Sequence, residues 1–461
     1  MSLAQLPRSS ARGTISRMLL AVCAALDNAG IQWCLLCGYG TYPEDVDPDD
    51  VDLVVPPSQF QAVPRVLASI PEVRLVQARQ HEATSVRYEL FTYTPEGNFA
   101  LLGIDVSSEI RDVGAVLMSA GEFLRGKRRF RDVFWVPEPA LEFVFYLIKK
   151  LGKGRVYGRD ALGPDHETVL NRLYREDPAG AARQLARFFP PGDARALLAA
   201  ANSEDWTHVR QDIERLRRVP ARYLSRRSPA AVLRYWIGDF HRRVRRVFAP
   251  AGLMVAFFGF DGSGKSTVIE RLKQDLWQVF SDGERYHLRP GVCLPINSDP
   301  ASSVGAPVSE PARGLAGSLA KLALWWADYV IGYCVVVLPR LVRTGLVLFD
   351  RYSADLVVDP ARYRYGGPMW VAHLLERGIP QPALVFFLDA PPEVLRGRCR
   401  HFPYGTPELR DRYLRMVRGI PGGRVIDAAQ PLDAVVANVE RLIFEHMAAR
   451  MARRLRLEVT A

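Results

Sequence analysis

Residues 256–267, AFFGFDGSGKST, change from an apolar run into glycines, a lysine and two hydroxyl residues. They fit the pattern G-x-x-x-x-G-K-[ST] in full, between a strand-like segment, LMVAFF, and a helix-like segment, STVIERLKQDL. In such a loop the glycines let backbone N–H groups surround phosphate oxygens, and the helix N-terminus adds partial positive charge. The stretch therefore predicts a phosphate-binding loop between the first strand and the first helix of an α/β domain.

The loop also predicts which groups would bind a nucleoside triphosphate. We expect Lys265 to bridge the β- and γ-phosphates and the Ser266 hydroxyl to coordinate Mg²⁺. The predicted nucleotide-binding residues are Gly259, Asp261, Gly262, Ser263, Gly264, Lys265, Ser266 and Thr267. ATP and Mg²⁺ are accordingly the predicted cofactors.

The chain has 461 residues, which is too long for one ordinary hydrophobic core, and its composition changes twice along its length. Residues 1–136 contain strand-like runs such as VDLVV with a few helical stretches, and residues 137–250 show mainly helical spacing. From 251 to 461, strand and helix signals alternate, which predicts a parallel sheet with helices on both faces. The predicted fold is an N-terminal α+β domain, a helical connector and a C-terminal α/β domain.

The cysteines and one apolar stretch indicate in which cellular compartment the protein is expected. Six cysteines are scattered rather than arranged as a disulfide framework, which favours the reducing cytoplasm, and we expect Cys34 and Cys37 to be buried strand residues. The stretch LALWWADYVIGYCVVVLPRLV, residues 322–342, is long enough to cross a bilayer, but Asp328 and Pro339 interrupt it. Because a carboxylate at bilayer depth is costly, we expect a buried helix.

Charged residues follow two further strand-like segments of the C-terminal domain. GLVLFDRY ends in Asp350-Arg351-Tyr352, and an acid at the carboxyl end of a strand beside the loop suits a contact with Mg²⁺. ALVFFLD leads into a basic segment between Arg396 and Arg400. Those arginines could close over a transferring phosphoryl group or form a solvated basic helix.

Four segments of the C-terminal domain, FFGFDGSGKST, LFDRY, FLDAPPEVLRGR and RVIDAAQPLDAVV, resemble in this order the thymidylate kinase family of P-loop phosphotransferases. The resemblance covers about residues 251–447. It implies that Asp261 contacts the acceptor's sugar, that Arg289 holds the acceptor phosphate and that Arg351 faces the phosphoryl transfer. The residues to which we assign catalytic roles are Lys265, Asp261, Arg351, Arg396 and Arg400, the last two at the start of a lid.

The stretch after Tyr352, SADLVVDPARYRYGGP, departs from that family. Thymidylate kinases have a Ser/Ala-Tyr-Gln stretch here that helps to read the thymine, whereas this chain has Arg362 and Arg364. Together with HLRPG upstream, the segment resembles thymidylate-kinase-like proteins found among bacterial surface-polysaccharide functions. The predicted acceptor-binding residues are Arg289, Arg351, Tyr352, Arg362 and Arg364. The acceptor is either a nucleotide monophosphate or a sugar-bearing metabolite.

The N-terminal domain contains an acidic loop, CGYGTYPEDVDPDDVDLVV, with six carboxylates between Glu44 and Asp52. Strand alternation places Asp50 and Asp52 on one face, and with Asp105 on another strand they predict an oxygen-rich Mg²⁺ site. The pattern resembles the nucleotidyltransferase fold, although Tyr39 stands where that fold has a serine that helps to hold the triphosphate. The same fold without chemistry and a solvated acidic turn remain alternatives.

Lysines and arginines form the basic segments outside the loop. Lys149, Lys150 and Lys153 follow the N-terminal domain and could contact a nucleotide phosphate or lie in solvent. The formal net charge is +11, and residues 215–250 contain eleven arginines and one acid. This arginine-rich connector suits a solvated or interdomain helix, an anionic membrane surface or, least of the three, a nucleic acid. We therefore expect a cytoplasmic protein and leave open both peripheral contact with the inner face of the membrane and a homodimer.

Three functions are compatible with these features. The leading hypothesis is an ATP- and Mg²⁺-dependent phosphotransferase with an appended nucleotidyltransferase-like domain. The second is a nucleotidyltransferase centred on Asp50, Asp52 and Asp105. The third is a non-catalytic protein in which ATP binding changes the domain arrangement.

Overall fold

The computed structural model of the chain describes residues 11–112, 115–220, 222, 229–293, 311–398 and 407–456. The chain divides into two compact units, which are residues 1–243 with 448–461, and residues 244–447. We refer to them as the first and second units. The predicted three-part division at residues 136 and 250 stays a prediction.

Strands of the first unit form one main sheet and two hairpins. The strands are β1 (Cys34–Leu35), β2 (Val51–Val54), β3 (Arg74–Glu82), β4 (Ser85–Tyr93), β5 (Phe99–Ser107), β6 (Glu109–Asp112), β7 (Ala115–Ser119), β8 (Arg128–Phe130) and β9 (Phe134–Val136). The main sheet has the order β1-β2-β5-β4-β3, with β2 and β5 parallel and the other neighbours antiparallel. The parallel pair places Asp52 directly beside Asp105.

Helices supply the rest of the first unit. They are α1 (Ala11–Asn28), α2 (Val63–Ala68), α3 (Ala120–Arg125), α4 (Pro139–Tyr157), α5 (Pro164–Glu176), α6 (Pro178–Leu185), α7 (Pro191–Ser203), α8 (Thr207–Gln211), α9 (Ile213–Leu216) and α10 (Pro229–Phe248), whose last residues, 244–248, belong to the second unit. Proline begins α4 to α7 because its fixed φ suits the first helical position, where no N–H is needed. One apolar core joins the helices around Phe143 and Leu147 of α4, and it includes Cys34 and Cys37. Both cysteines are buried as predicted, but only Cys34 lies in a strand.

The second unit is built on a five-stranded sheet. Its strands are β10 (Leu253–Gly259), β11 (Gly283–His287), β12 (Leu346–Asp350), β13 (Leu384–Asp389) and β14 (Gly423–Asp427). The order is β11-β12-β10-β13-β14, and all neighbours are parallel, which confirms the predicted parallel sheet. Every residue of β10 and β12 is buried, as expected for central strands covered on both faces.

The helices of the second unit alternate with these strands. They are α11 (Lys265–Asp275), α12 (Leu315–Gly332), α13 (Leu338–Val342), α14 (Ala354–Val358), α15 (Met369–Arg377), α16 (Pro392–Arg398), α17 (Pro407–Gly419) and α18 (Leu432–Leu455), and α18 continues into the residues of the first unit. Because the carboxyl ends of parallel strands meet at one edge of the sheet, the segments after β10, β11 and β12 are brought together there.

The apolar stretch around residue 330 forms one long helical segment, because a π-helical turn, Tyr333–Val337, joins α12 to α13. Among the described residues this segment, Leu315–Val342, is long and apolar enough to cross a membrane by length and composition, and its 18-residue apolar window has a mean hydropathy of 1.6. Only 33% of that apolar window is buried, so the predicted buried helix is buried along one face. That face includes Asp328, which is fully buried.

Candidate active site

The loop after β10 has the backbone that a phosphate-binding loop requires. Gly259, Gly262 and Gly264 have φ values of 151°, 86° and 88°, in the region that favours glycine. A Cβ atom on Gly259 would lie 2.6 Å from the Ser263 Oγ atom and 2.8 Å from the Leu388 carbonyl oxygen. The loop then enters α11 at Lys265, as the sequence predicts.

Lys265 lies buried across its own loop. Its Nζ atom donates hydrogen bonds of 2.9 Å to the carbonyl oxygens of Gly259 and Phe260. Burial, followed by the neighbouring charge of Arg351, lowers the pKa of Lys265 to about 8. The ammonium group is therefore held by neutral oxygens and gains stabilisation from any anion that enters the loop.

Ser266 and Asp350 form the oxygen pair expected to hold a metal ion. The Ser266 hydroxyl donates to Asp350 Oδ2 at 3.3 Å, and the Asp350 Oδ1 atom is buried without a hydrogen-bond partner among the described residues. Burial opposes ionisation of Asp350, but His287 and Lys265 outweigh it and lower the pKa of this carboxyl. A hydroxyl beside an ionised carboxylate with one free oxygen fits the oxygen ligands that Mg²⁺ prefers.

Arg285 is a site residue that the sequence reasoning missed. Its Nη2 atom donates to Ser266 Oγ at 2.7 Å and to Asp350 Oδ2 at 2.6 Å. On the same strand, His287 lies opposite Asp350 in the sheet register, and its Nδ1 atom is 3.9 Å from Asp350 Oδ2. The alternation of Arg285 and His287 on one face of β11 could have indicated that both approach the loop.

Asp261 is held between two arginines. The Arg351 Nη2 atom donates to Asp261 Oδ1 at 2.9 Å, and the Arg362 Nη2 atom donates to Oδ2 at 3.5 Å. Burial opposes ionisation of Asp261, but Arg351 and Arg362 lower the pKa of this carboxyl. The structure thus brings together three predicted site residues that are separated by up to 101 positions in sequence.

Arg351 is itself fixed by a buried acid. Its Nη1 atom donates to Asp355 Oδ2 at 3.1 Å, and the hydroxyls of Tyr363 and Tyr413 also donate to the Asp355 carboxylate. Arg351 is 3% exposed and has a φ of 71°, which is uncommon outside glycine. Because both ends of the guanidinium are paired, the orientation of Arg351 toward Asp261 is set before any ligand binds.

Arg289 is buried and pairs with an acid of α12. It is 2% exposed, and its Nη1 atom donates to Asp328 Oδ2 at 3.0 Å. The backbone N–H groups of Gly291 and Cys293 donate to the same carboxylate at 3.0 and 2.6 Å. The contacts therefore explain why α12 buries an acid, and the phosphate-binding role of Arg289 stays a prediction.

The other predicted site residues are placed less centrally. Tyr352 is buried and donates to the Pro380 carbonyl oxygen at 2.6 Å, and Arg364 donates from Nε to the Pro311 carbonyl oxygen at 3.0 Å. Thr267 and Arg396 are exposed on α11 and α16. Arg400 lies outside the described residues. The lid role of the last two arginines stays a prediction.

The acidic residues of the first unit also come together. Lys149 on α4 donates to Asp50 Oδ1 at 2.9 Å and to Asp52 Oδ2, and its Nζ atom lies 3.5 Å from Cys37 Sγ. Burial raises the pKa of Asp52, whereas Lys149 overcomes burial at Asp50 and lowers the pKa of that carboxyl. The alternative of a solvated Lys149 is therefore wrong, because its ammonium group is paired with two carboxylates.

Asp105 has a separate cation. Arg87 donates from Nη1 to Asp105 Oδ2 at 3.1 Å and from Nε to Glu89 Oε1 at 2.7 Å. Among the described residues, no group of three or more histidine, cysteine, aspartate or glutamate side chains is arranged to hold a metal ion. Side-chain cations therefore pair with the three aspartates where a metal ion was expected, and a Mg²⁺ site at Asp50, Asp52 and Asp105 stays a prediction.

No family model matches the chain. The chain is 26% identical over 214 residues to a thymidylate kinase of Xanthomonas euvesicatoria, which covers 44% of this chain and 88% of that protein. It is 28% identical over 214 residues to a probable thymidylate kinase of Methanosarcina mazei, with 42% of this chain and 96% of that protein covered.

A solved structure of thymidylate kinase from Ehrlichia chaffeensis matches 42% of this chain and 100% of that chain, with 18% identity and a TM-score of 0.31. The second unit contains a phosphate-binding loop at the start of α11 and a parallel sheet, and its sequence is similar to those of thymidylate kinases. Together these features identify a P-loop kinase, which is a phosphotransferase.

Proposed function

We propose that this protein transfers a phosphoryl group from Mg²⁺-bound ATP to a nucleotide monophosphate. The observation that carries the proposal is the buried Lys265, whose ammonium group donates hydrogen bonds to carbonyl oxygens inside a glycine loop. Ser266 and Asp350 stand beside that loop with a free carboxylate oxygen. Sequence similarity to proteins named thymidylate kinases supports a nucleotide as the acceptor class.

The chain's own residues would act mainly by positioning and by electrostatics. Lys265 would exchange its carbonyl partners for the β- and γ-phosphate oxygens and stabilise charge that develops on the transferred group. Ser266 and Asp350 would hold Mg²⁺, which when bound neutralises phosphate charge. Loop N–H groups between Gly262 and Lys265 would fix the triphosphate in the line of transfer.

The acceptor would bind next to Asp261. Its carboxylate lies where Arg351 and Arg362 converge, so hydroxyl donors and phosphate oxygens of one ligand could contact neighbouring groups of opposite charge. The segment that carries Arg362 differs from the Tyr-Gln stretch of thymidylate kinases. We therefore propose that the acceptor is a nucleotide monophosphate other than thymidylate. A sugar-bearing metabolite is the alternative acceptor, with a surface-polysaccharide role as the broader setting.

A phosphoryl-transfer assay tests this proposal. The purified full-length protein is incubated with γ-labelled ATP, Mg²⁺ and a panel of nucleotide monophosphates, free sugars and lipid-linked sugars. We expect transfer to at least one nucleotide and none in the Lys265→Ala variant. Asp50→Ala serves as the control, because Asp50 belongs to the first unit. Tight ATP binding without transfer to any acceptor would contradict the proposal and favour a non-catalytic ATP-binding protein.

We further infer that the first unit has a nucleotidyltransferase-like fold. The supporting observation is the pairing of Asp52 with Asp105 on parallel strands, with Asp50 bonded to the same lysine as Asp52. A nucleotidyltransferase reaction there would be lost in Asp52→Asn and kept in Lys265→Ala. Labelled transfer of a nucleoside monophosphate from ATP, measured on both variants, separates the two activities.

A further inference from the structure

Two lysines of α4 carry positive charges that no described residue pairs. Lys150 is 5% exposed, and within the described ranges its ammonium group has no hydrogen bond and no ion pair. Its Nζ atom lies 5.0 Å from the centroid of the Tyr146 ring, a cation–π contact that leaves its N–H donors unused. Lys153, one turn further along, is half-buried and is likewise unpaired among the residues that the structure describes. Because a buried ammonium group without an acceptor is costly, a ligand that supplies acceptors would stabilise Lys150.

The two lysines belong to a small cluster between α4 and α5. The Tyr146 hydroxyl is hydrogen-bonded to the Nδ1 atom of His166 on α5 at 3.0 Å. Burial, followed by the charges of Lys150 and Lys153, lowers the pKa of His166, so the imidazole is uncharged at pH 7. His166 and Lys153 are both half-buried, so the cluster reaches the protein surface while Lys150 forms its base.

The carboxylates near the cluster do not offset its positive charge. Asp50 is bonded to Lys149 at 2.9 Å, and the exposed Asp165 makes no ion pair with a described residue. Burial lowers the pKa of Lys150, and the charges of Lys153 and Lys149 lower it further. Like charges three or four positions apart on a helix repel each other. The cluster therefore carries a positive charge that an anion could neutralise.

Burial indicates the size of the anion that fits. A nucleic acid or an acidic peptide would need an exposed basic surface, whereas the Lys150 side chain is almost completely covered. A metal cation would be repelled by both lysines. A phosphate group is small, is negatively charged at pH 7 and has several oxygens that can accept hydrogen bonds from two ammonium groups.

We propose that Lys150 and Lys153 bind a phosphate group of a small-molecule ligand beside His166. Lys150 donates from the base of the site, and Lys153 donates from its rim. The proposal does not depend on the phosphotransferase reaction, because all three residues belong to the first unit.

Isothermal titration calorimetry tests the proposal on the full-length protein. Every sample carries Lys265→Ala, so that the loop of the second unit contributes little, and is titrated with orthophosphate or pyrophosphate. We expect binding in this background and a loss of about ten-fold or more when Lys150→Met is added, because methionine keeps the apolar stem but removes the charge. The matched control is Lys127→Met, since Lys127 Nζ lies 4.3 Å from the centroid of the Trp135 ring, and it should leave binding unchanged.

The two anions distinguish the sources of the phosphate group. Tighter binding of pyrophosphate would support the site and assign it to a polyphosphate chain, as in a nucleotide. Equal affinities would support the site and assign it to a single phosphate, as in a phosphate monoester. Absence of binding in the Lys265→Ala background would overturn the proposal, as would equal binding with and without Lys150→Met.

Two further measurements separate a ligand site from a structural lysine. Lys150→Met should keep or raise the melting temperature, because it removes an unpaired buried charge, and a lower melting temperature would overturn the proposal. Bound phosphate should raise the pKa of His166, since a neighbouring anion favours the charged imidazole. Proton magnetic resonance of the imidazole measures this, with His166→Gln to identify the signal. An unchanged pKa of His166 at saturating phosphate would also overturn the proposal.

Discussion

Two lysines show how similar side chains serve different ends in the two units. Lys149 donates to the carboxylates of Asp50 and Asp52, whereas Lys265 donates to two backbone carbonyl oxygens. Burial opposes the charge of both lysines. At Lys149, however, Cys37 and the two aspartates outweigh burial and raise the pKa, while the pKa of Lys265 falls to about 8.

The difference lies in where each positive charge is neutralised. The carboxylates of Asp50 and Asp52 neutralise Lys149 inside the protein. The ion pair therefore contributes to the stability of the first unit, and Lys149 attracts an anionic ligand only weakly. Lys265 donates its hydrogen bonds to neutral carbonyl oxygens, and the carboxylates of Asp350 and Asp261 do not offset burial and the charge of Arg351, so a bound anion can still stabilise its charge. A stable ion pair and a ligand site are thus distinguished by the partner atoms and not by burial.

The largest expected effect is on catalysis at Lys265. Lys265→Ala should lower phosphoryl transfer by about 100-fold or more, because the developing phosphoryl charge loses its nearest cation. The initial rate of phosphoryl transfer from γ-labelled ATP measures this loss. Lys149→Met provides the matched comparison, and a similar loss of transfer in that variant would contradict the separation of roles.

The next effect is on the stability of the first unit. Lys149→Met should lower its free energy of unfolding by roughly 2 kcal/mol, since it leaves two adjacent carboxylates without their cation. The expected loss of stability is small for a buried ion pair, because the Asp50 side chain is 39% exposed. Urea unfolding measures it, and Lys149→Met/Asp52→Asn should recover part of the loss. An unchanged free energy of unfolding in Lys149→Met would show that the ion pair contributes nothing to the stability of the first unit.

The lowered pKa of Lys265 predicts a pH dependence of ATP binding. Bound phosphates favour the charged lysine, so binding takes up a proton once the free protein has lost it above a pH of about 8. ATP affinity should therefore fall about ten-fold between pH 7 and pH 9. Calorimetric titration measures this, and Lys265→Arg should flatten the profile because an arginine stays charged. An equal fall of ATP affinity with pH in Lys265→Arg would show that a group other than Lys265 causes the pH dependence.

The smallest expected effect concerns Arg285. Its guanidinium bonds to the Ser266 hydroxyl and to Asp350 Oδ2, and so competes with Mg²⁺ for the Ser266–Asp350 pair; Arg285→Ala should therefore tighten metal binding by about five-fold. Paramagnetic resonance of Mn²⁺ with ATP measures binding without turnover. Arg340→Ala is the control, since Arg340 pairs with Asp282 at 2.6 Å. Weaker metal or ATP binding in Arg285→Ala would instead make Arg285 a ligand contact.

Much of the second unit could be predicted because its signals are local. The glycine loop, Lys265 and Ser266 are neighbours in the chain, and their backbone positions follow from the strand, loop and helix that contain them. The alternation of strands and helices after residue 251 likewise predicted the parallel sheet. Neither inference requires knowledge of which distant side chains meet.

Contacts between distant residues could not be predicted in the same way. Strand alternation predicted that Asp50 and Asp52 share a face, but not that Lys149 of α4 would pair with both. The buried Asp328 was interpreted as an interruption of an apolar helix, and its bond to Arg289 became visible only in the fold. In both cases a charge is acceptable in the core only because its partner arrives from another element.

The sequence by itself therefore determined the chemistry of the loop and the parallel order of the sheet, because both depend on residues close together in the chain. Tertiary structure alone decided which charges remain available. It paired Lys149, Arg289 and Asp328 internally and placed Arg285 at the expected metal position. The reason is electrostatic and steric, since a charge or an apolar face acquires its role from the groups that the fold packs against it.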